Sequence, residues 1–383
     1  MVNHPHALNY LDDGLGPKSK ARYKKRRSIL AHSIGHLIVV YGISDPPGHP
    51  HVWAMLKSPI FQEPLLLFLT GINQTQIALC LDPHSSDSKE ILFIPQKDLN
   101  KEFWEGIQLG TGTIQSNKEI QQLTGIQDIR DISELESSIK ERLKSTQDRS
   151  LGTFWHQSKH KKVIKDSNFK FKQKLKRWIR NEKPAMSLMN ISSVLWPQRT
   201  TLDGVDQKNS EKANKLASLA FKKACQNLKE MKNEMEVSSF LEGELTSVSP
   251  FGLSFPTISA SGANASILHY TRNNDSLKKG NLLLLDFGVR WYGMHADISR
   301  TVPINGQFNP LQSKLYQIVL DAQAQVEHHV KPGVTIEILN HICWKFINEA
   351  LASLMFRIKG KYSVSYQTQP HHVSHLIGLQ VHD

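Results

Sequence analysis

Residues 282–302 read LLLLDFGVRWYGMHADISRTV, and this stretch predicts two neighbouring strands that each carry an aspartate. Asp286 follows four leucines, which would bury its carboxylate. A buried carboxylate costs several kcal/mol unless a cation, hydrogen-bond donors or a proton compensates its charge. Asp297 lies eleven residues further on, an odd separation that directly opposed residues have across a hairpin with an even-length turn. We therefore expect both carboxylates on one face, about 5 Å apart at Cβ.

Two carboxylates at that distance repel each other, and a divalent cation or a shared proton removes the repulsion. Another interpretation is that Asp297 pairs with Arg300 while Asp286 only caps a turn. The spacing alone leaves both interpretations open.

Histidines concentrate in residues 371–383, HHVSHLIGLQVHD. His371 and His375 are four residues apart, His382 is seven further on, and Gly378 between them allows close backbone approach. A lone buried histidine is more often a core residue than a ligand. Several histidines combined with two strand-borne carboxylates, however, indicate a metal site with histidines that transfer protons.

The size and composition of the chain favour a two-domain protein of the cytoplasm. A length of 383 residues exceeds that of one typical hydrophobic core. The three cysteines are scattered and form no CxxC pair, which argues against a disulfide framework or a cysteine zinc site. No apolar run approaches the roughly 20 residues that cross a bilayer, and the N-terminus lacks a signal-peptide pattern. We expect no membrane partner.

The net charge of +12 is concentrated in one segment. Residues 159–183 contain eleven Lys or Arg against two acidic residues. We predict a solvated basic linker or connecting helix over residues 156–185, and an anionic partner is the alternative. Phe169, Phe171 and Trp178 suit stacking on bases and docking on a domain equally well. Because the charge is so local, we do not expect a nucleic-acid partner.

Apolar runs separated by turn-rich breaks predict an α/β domain between residues 21 and 151. HLIVVYGI, PLLLFLTGI, TQIALCLD and EILFIPQ are typical of strands, and SELESSIKERLKS is typical of a helix. We place the first domain at residues 1–155.

Helical periodicity returns after the basic segment. The spacing predicts one amphipathic helix over residues 209–236, with inward positions at Leu216, Ala220, Ala224, Leu228, Met231 and Met235. Residues 249–264 predict loop and short strand. Asn309 and Pro310 mark a helix start, and the expected inward face is Leu311, Leu315, Ile318, Ala322 and Val326. A last helix is predicted over residues 335–354, with Ile338, Ile342, Phe346 and Ala350 inward.

The motifs ILHYT, LLDFGVRWYGMHADISRTVPINGQF, LYQIVLDAQ, VKPG and HHVSHLIGLQVHD occur in this order from residue 267 onward. Together they resemble the metallopeptidase family with the pita-bread fold, and within it most closely aminopeptidase P. FLTG at residues 68–71 is similar to that family's N-terminal domain. The resemblance implies an α/β creatinase-like domain, the basic linker, and an α+β pita-bread catalytic domain over residues 186–383 that is incomplete at its C-terminus.

The resemblance also implies a metal centre and a reaction. In this family two divalent ions, usually Mn²⁺, share a bridging water or hydroxide; Asp286 would bind one ion, Asp297 both, and His375 the other. His269, His371 and His382 match positions that hold the substrate and move protons. The implied reaction is hydrolysis of the bond between an N-terminal residue and a following proline. Peptides of that sequence would be the partners, and the complete enzyme would form homo-oligomers.

Other functions remain open. A prolidase, which cleaves dipeptides with proline second, shares this chemistry, and some pita-bread proteins are metal-free binding proteins. The family's last two ligands are glutamates beyond the VHD motif, whereas this sequence stops at Asp383. The sequence is therefore expected to be part of a longer enzyme or to be inactive by itself.

Overall fold

The computed structural model describes residues 17–43, 62–105, 109–156, 166–358 and 371–382. The elements before residue 200 are α1 (Pro17–Ile34), β1 (Ile38–Tyr41), α2 (Pro64–Thr70), β2 (Ala78–Leu81), β3 (Glu90–Ile94), α3 (Leu99–Glu105), α4 (Ile114–Thr124), β4 (Asp128–Asp131), α5 (Leu135–Ser145), β5 (Ser150–Thr153), α6 (Ser167–Glu182), β6 (Ser187–Asn190) and α7 (Ser192–Arg199). The first sheet has the strand order β4-β3-β2-β1-β5-β6 and mixes parallel and antiparallel pairs.

This first sheet is covered on both faces. Helices α1, α2 and α4 bury one face, and α5 and α6 bury the other. A sheet covered on both faces has strands that are mostly apolar along their length, and β1, β2 and β3 after Glu90 fit this description. The strands predicted at HLIVVYGI, TQIALCLD and EILFIPQ and the helix at SELESSIKERLKS are confirmed.

The prediction of a strand at PLLLFLTGI is wrong, because these residues form α2. Residues 65–70 are all buried, so the sequence shows no helical alternation of apolar and polar positions. Pro64 occupies the first turn, and Gly71 ends the helix in the left-handed conformation at φ 74°. A Cβ at Gly71 would lie within 2.7 Å of two ring carbons and the hydroxyl oxygen of Tyr23, so both the backbone and the space require glycine.

The basic segment packs on the first sheet over most of its length. Asp166 caps α6 by accepting a hydrogen bond from the Phe169 amide. Phe171 and Trp178 are buried against the sheet, while the lysines and arginines point away. Strand β6 then extends the same sheet beside β5. Residues 167–190 are therefore a helix and a strand that pack on the first sheet, so within this range the chain follows the connecting-helix alternative.

The remaining elements are α8 (Gly204–Asn227), α9 (Glu234–Val248), β7 (Ile258–Ser261), β8 (Leu282–Phe287), β9 (Arg290–Trp291), β10 (Met294–His295), β11 (Ile298–Pro303), α10 (Pro310–His329) and α11 (Ile336–Ile358). Strands β11, β8 and β7 form an antiparallel sheet in that order, and β9 and β10 form a separate hairpin. Helices α8 and α9 cover one face of the three-stranded sheet.

The single helix predicted over residues 209–236 is in fact two. A 3-10 turn at Leu228–Glu230 ends α8, and Asn233 starts α9 by accepting a hydrogen bond from the Glu236 amide. Met235 consequently faces solvent. Apolar residues happen to keep the helical spacing across the turn between α8 and α9. The side-chain cap of Asn233, and not this spacing, sets where α9 begins.

The starts of α10 and α11 agree with the sequence, whereas their predicted inward faces agree only in part, since Ala322 is buried as predicted and Leu311, Leu315 and Ile338 are not. Asn309 and Gln312 form a capping box at the start of α10. Leu311, Leu315 and Ile338 are largely exposed, whereas Ala322 and Leu339 are buried. Among the described helices, none combines the length and apolar composition of a bilayer crossing.

Candidate metal centre

The two aspartates come from the antiparallel pair β8 and β11. Along β8, residues Leu283, Leu285 and Phe287 are buried while the side of Asp286 is half open. The residue directly opposite Asp286 is Ser299, whose hydroxyl donates a 2.8 Å hydrogen bond to Asp286 Oδ1. The predicted direct opposition of Asp286 and Asp297 is therefore wrong. Asp297 lies two residues before Ser299, which places it diagonally on the same face.

The close approach of the chain at Gly288 fixes the position of Asp297. A Cβ on Gly288 would lie 1.9 Å from the carbonyl oxygen of Ala296, so no other residue fits without moving backbone. The Ala296 amide donates to the Val289 carbonyl at 2.9 Å. The β9–β10 hairpin lies between Gly288 and Ala296 in the sequence. Its length decides which residues of β8 and β11 lie opposite each other.

The charge of Asp286 is only partly compensated. Burial raises the pKa of its carboxyl, and the neighbouring charge of Asp297 raises it further. The Ser299 hydroxyl and the nearby His269 act in the opposite direction, but the pKa stays above its ordinary value. A cation in this place would remove both causes of the upward shift.

His375 brings an imidazole to this pair. Its Nε2 lies 3.1 Å from Oδ2 of Asp297, and its Nδ1 lies 3.0 Å from the Leu376 carbonyl oxygen. A carbonyl oxygen only accepts, so Nδ1 carries the hydrogen in this bond and Nε2 of the neutral ring keeps its lone pair. The ring of His382 lies next to it, with 4.3 Å between ring centroids.

The histidine segment is anchored to the rest of the molecule. Leu379 is buried in the core cluster of the first sheet. Arg199 of α7 donates to the side chain of Gln380 at 3.2 Å, and the His295 amide donates to the Gly378 carbonyl at 3.2 Å. These contacts hold the backbone between His375 and His382 at three consecutive residues.

His295 lies against this anchored segment. It is 4% exposed, and burial together with the charge of Arg290 lowers its pKa to about 3. A hydrogen bond with the Leu379 backbone opposes this shift only in part. His295 is thus a neutral, structural histidine at ordinary pH. Neither His295 nor Ser299 was predicted from the sequence. The register could have identified Ser299, but no pattern in the sequence distinguishes His295.

The structure brings Asp286, Asp297, His375 and His382 together. His269 is exposed, close enough to Asp286 to affect its pKa, and lines a depression of about 600 Å³ with Tyr270. His371 is also exposed, and its Nδ1 lies 2.6 Å from the His372 carbonyl oxygen. Among the described residues, only Asp297, His375 and His382 have potential ligand atoms all within 4.8 Å of one another.

These residues fit a divalent metal. Two carboxylates and imidazole nitrogens are the usual ligands of such ions, and burial and the charge of Asp297 both raise the pKa of Asp286. Asp286, Asp297, His375 and His382 are the residues that could hold an ion.

Two protein-family models match the chain. Metallopeptidase family M24 matches residues 208–383, and the N-terminal domain of aminopeptidase P matches residues 23–151. The chain is 27% identical over 409 residues to Xaa-Pro aminopeptidase 3 of Rattus norvegicus, covering 100% of this chain and 75% of the relative. It is 28% identical over 335 residues to the Xaa-Pro aminopeptidase of Haemophilus influenzae, covering 85% and 72%.

Solved structures show the same fold. The aminopeptidase PepP of Pseudomonas aeruginosa aligns with a TM-score of 0.77 at 21% identity, covering 95% of this chain and 81% of that chain. Aminopeptidase P of E. coli in its low-pH form aligns with a TM-score of 0.77 at 20% identity and the same coverage. The predicted fold class, an α/β N-terminal domain followed by a pita-bread domain, is confirmed.

Proposed function

Because this chain belongs to the aminopeptidase P family and is a hydrolase of that type, we propose that it removes the N-terminal residue from peptides whose second residue is proline. The observation that carries the proposal is that Asp297, immediately before β11, contacts both Asp286 of β8 and His375. Relatives that align with 85% or more of the chain are named Xaa-Pro aminopeptidases.

We propose that Asp286, Asp297 and His375 hold divalent metal, with two Mn²⁺ ions as the loaded state. Bound metal would lower the pKa of a water molecule and polarise the scissile carbonyl. The side chains have distinct tasks. Ser299 orients Asp286 through its hydrogen bond to Oδ1, which leaves Oδ2 for the metal. The Leu376 carbonyl orients His375 through Nδ1, which leaves Nε2.

His269, His371 and His382 are proposed to contact the substrate and move protons. His269 lies on the loop after residues 262–266 and faces the depression that Tyr270 also lines. This depression gives an extended peptide a path toward Asp286. An imidazole titrates near neutral pH, so it can accept a proton from an attacking water and donate one to a leaving amine.

The compartment and assembly are also proposals. Cys80, Cys225 and Cys343 are free thiols, which supports a reducing compartment such as the cytoplasm. We propose that the complete enzyme forms homo-oligomers, with peptides as its substrates and no nucleic-acid partner.

The test compares two tripeptides that differ only in having proline or alanine second. We expect the complete enzyme that contains this sequence, loaded with Mn²⁺, to release the first residue from the proline peptide only. Asp297→Asn should lower kcat/KM at least about a hundredfold, because Asp297 is shared by both proposed ions. Cleavage of both peptides, or cleavage that persists in EDTA, would contradict the proposal.

Two alternatives give different results in the same assay. A prolidase would prefer the dipeptide with proline second over the tripeptide. A metal-free binding protein would cleave neither peptide and would bind no Mn²⁺. The contacts of Asp297 with both Asp286 and His375 favour the peptidase.

A further inference from the structure

We propose that Glu234, at the start of α9, is a positioning residue that holds His269 in place through Tyr270. The inference rests on the proposed function, in which His269 contacts the substrate and moves protons. Glu234 is fully buried, and it acts on the segment of residues 261–275 that carries His269, here called the His269 loop.

The His269 loop depends on support from outside. Within the described chain, residues 267–275 form neither helix nor strand, and residues 266–269 are all exposed. Tyr270, in contrast, is only 6% exposed. Exposed segments with few buried contacts open most readily, so the direction of His269 depends on how the loop is anchored.

Each carboxylate oxygen of Glu234 holds one side of the His269 loop. Oε1 accepts hydrogen bonds from the Ser261 amide at 2.6 Å and from the Asn264 side chain at 3.1 Å, both on the N-terminal side. Oε2 accepts from the Tyr270 hydroxyl at 2.8 Å and from the Asp275 amide at 3.0 Å, both on the C-terminal side. One side chain therefore ties both sides of the loop to α9.

These four bonds are strong because Glu234 is ionised at neutral pH. Burial by itself would raise the pKa of its carboxyl, but the surrounding donors lower the pKa below its ordinary value. Hydrogen bonds to a charged acceptor are roughly twice as strong as those between neutral groups. The His269 loop is thus held by charge-assisted bonds inside the protein, away from water.

Tyr270 connects this anchor to its neighbour His269. The Tyr270 ring packs on Ile258 and Ala260 of β7. Ile258 in turn lies opposite Asp286 in the antiparallel pair of β7 and β8. The ring and the hydroxyl of Tyr270 therefore fix the backbone beside His269 relative to the strand that carries Asp286. In this arrangement His269 lies near Asp286.

A second anchor of the His269 loop does not involve Glu234. The Asn273 side chain accepts a hydrogen bond from the Ser259 amide at 2.9 Å and donates one to the Thr257 carbonyl at 2.8 Å. Loss of the Tyr270 hydroxyl should consequently loosen the residues around His269 without releasing the whole loop. A variant that lacks only this hydroxyl is therefore expected to fold.

The test combines Tyr270→Phe with His269→Ala in the complete enzyme that contains this sequence, loaded with Mn²⁺. kcat/KM for the proline tripeptide is measured for wild type, both single variants and the double variant, because this cycle isolates the coupling between the two residues. Glu234→Gln is measured in the same two backgrounds, below its unfolding temperature. Tyr316→Phe, which removes a hydroxyl from α10, is the matched control.

We expect Tyr270→Phe to lower kcat/KM about tenfold when His269 is present. When His269 is alanine, the same change should alter kcat/KM less than about twofold, since no imidazole is left to position. Glu234→Gln should show the same dependence on His269, and Tyr316→Phe should have no effect in either background. Equal losses with and without His269, or no loss in either background, would overturn the proposal, because Glu234 and Tyr270 would then have a structural role only.

A second measurement does not depend on activity. Amide hydrogen exchange over residues 261–275 should be at least about tenfold faster in Tyr270→Phe than in wild type, whereas exchange in α8 should not change. Equal exchange over residues 261–275 in the two proteins would overturn the proposal. If the wild-type enzyme cleaves no proline peptide, the peptidase function alone is rejected, and the exchange rates still decide whether Tyr270 holds the His269 loop.

Discussion

Glu234 and Asp286 are two carboxylates beside the same three-stranded sheet, and their surroundings are opposite. Glu234 is fully buried at the start of α9 and accepts four hydrogen bonds at 2.6 to 3.1 Å. Its donors are the Ser261 amide, the Asn264 side chain, the Tyr270 hydroxyl and the Asp275 amide. Burial alone would raise its pKa, but these donors lower it below the ordinary value.

Asp286 is less buried and yet has the higher proton affinity. Burial and the charge of Asp297 raise its pKa, and the hydroxyl of Ser299 offsets this only in part. Burial therefore does not distinguish a structural carboxylate from a ligand. The supply of donors does, because a carboxylate whose charge the protein itself leaves uncompensated is prepared for a cation.

The largest effect should come from Glu234→Gln. The amide nitrogen of glutamine would face donors, and the loss of a buried, fully bonded charge should lower the free energy of unfolding by about 4 kcal/mol. Urea denaturation at pH 7 measures it. Glu236→Gln, on the exposed side of α9, is the control and should change the free energy by less than about 1 kcal/mol. If Glu234→Gln and Glu236→Gln changed the free energy of unfolding equally, the hydrogen bonds to Glu234 would not distinguish it from an exposed carboxylate.

The same variant has a predictable dependence on pH. The folded pKa of Glu234 lies below its ordinary value of 4.5, so the stability that its ionised form contributes is fully present above pH 4.5. That stability is lost as the pH falls through the lowered folded pKa. The difference in unfolding free energy between wild type and Glu234→Gln should accordingly shrink below pH 4.5. A difference that grows with acidity would contradict a lowered pKa.

Gly288→Ala should have the next largest effect, since it disturbs the position of Asp297. The added methyl would meet the Ala296 carbonyl oxygen at 1.9 Å, and the backbone shift should cost about 3 kcal/mol. Urea denaturation and Co²⁺ titration should both detect the change. Gly280→Ala is a control for substitution alone, because its added methyl meets nothing within 4 Å, although its φ of +89° also carries strain.

Asp286→Asn should stabilise the metal-free protein by about 1 kcal/mol at pH 7, opposite in sign to Glu234→Gln. The raised folded pKa means that stability falls as the pH rises from the unfolded value of 3.8 through the folded pKa. Removing the charge removes this loss, and below pH 3.8 the gain should vanish. Thermal unfolding in EDTA measures it, and destabilisation at pH 7 would show that the charge is already compensated.

Ser299→Ala should have the smallest effect, about 0.5 kcal/mol, because the hydrogen bond to Asp286 is partly exposed to water. The variant should raise the pKa of Asp286 further, which NMR titration of the side-chain carboxyl in metal-free protein can follow. A lower pKa would mean that the hydroxyl does not donate to the charged form.

Local signals predicted much of the fold. The Asn309 cap followed by Pro310 marked the start of α10, and the apolar runs of β1 and β3 marked strands, because caps and strands depend on neighbouring residues. The strand prediction for the buried run of α2 was wrong because a fully buried segment shows no period that separates helix from strand.

The site depended on contacts that are distant in sequence. The aspartates and His375 were predicted as ligands from their residue types and the family resemblance, whereas the contact of Ser299 with Asp286 depends on a strand register that the sequence did not show. Glu234 receives its donors from residues 261–275, and His295 lies against Leu379, 84 positions away by number. No periodic pattern in the sequence predicts contacts between residues that are so far apart in the chain.

Leu379 has a thermodynamic consequence. It shares one buried cluster with Leu30 of α1 and Leu66 of α2, although it lies between two histidines of the metal centre. An ion that binds His375 only in the folded state would therefore also favour the folded form of the first sheet, through linkage. Amide hydrogen exchange in α1 and α2 should therefore be slower when the metal site is occupied than when it is empty.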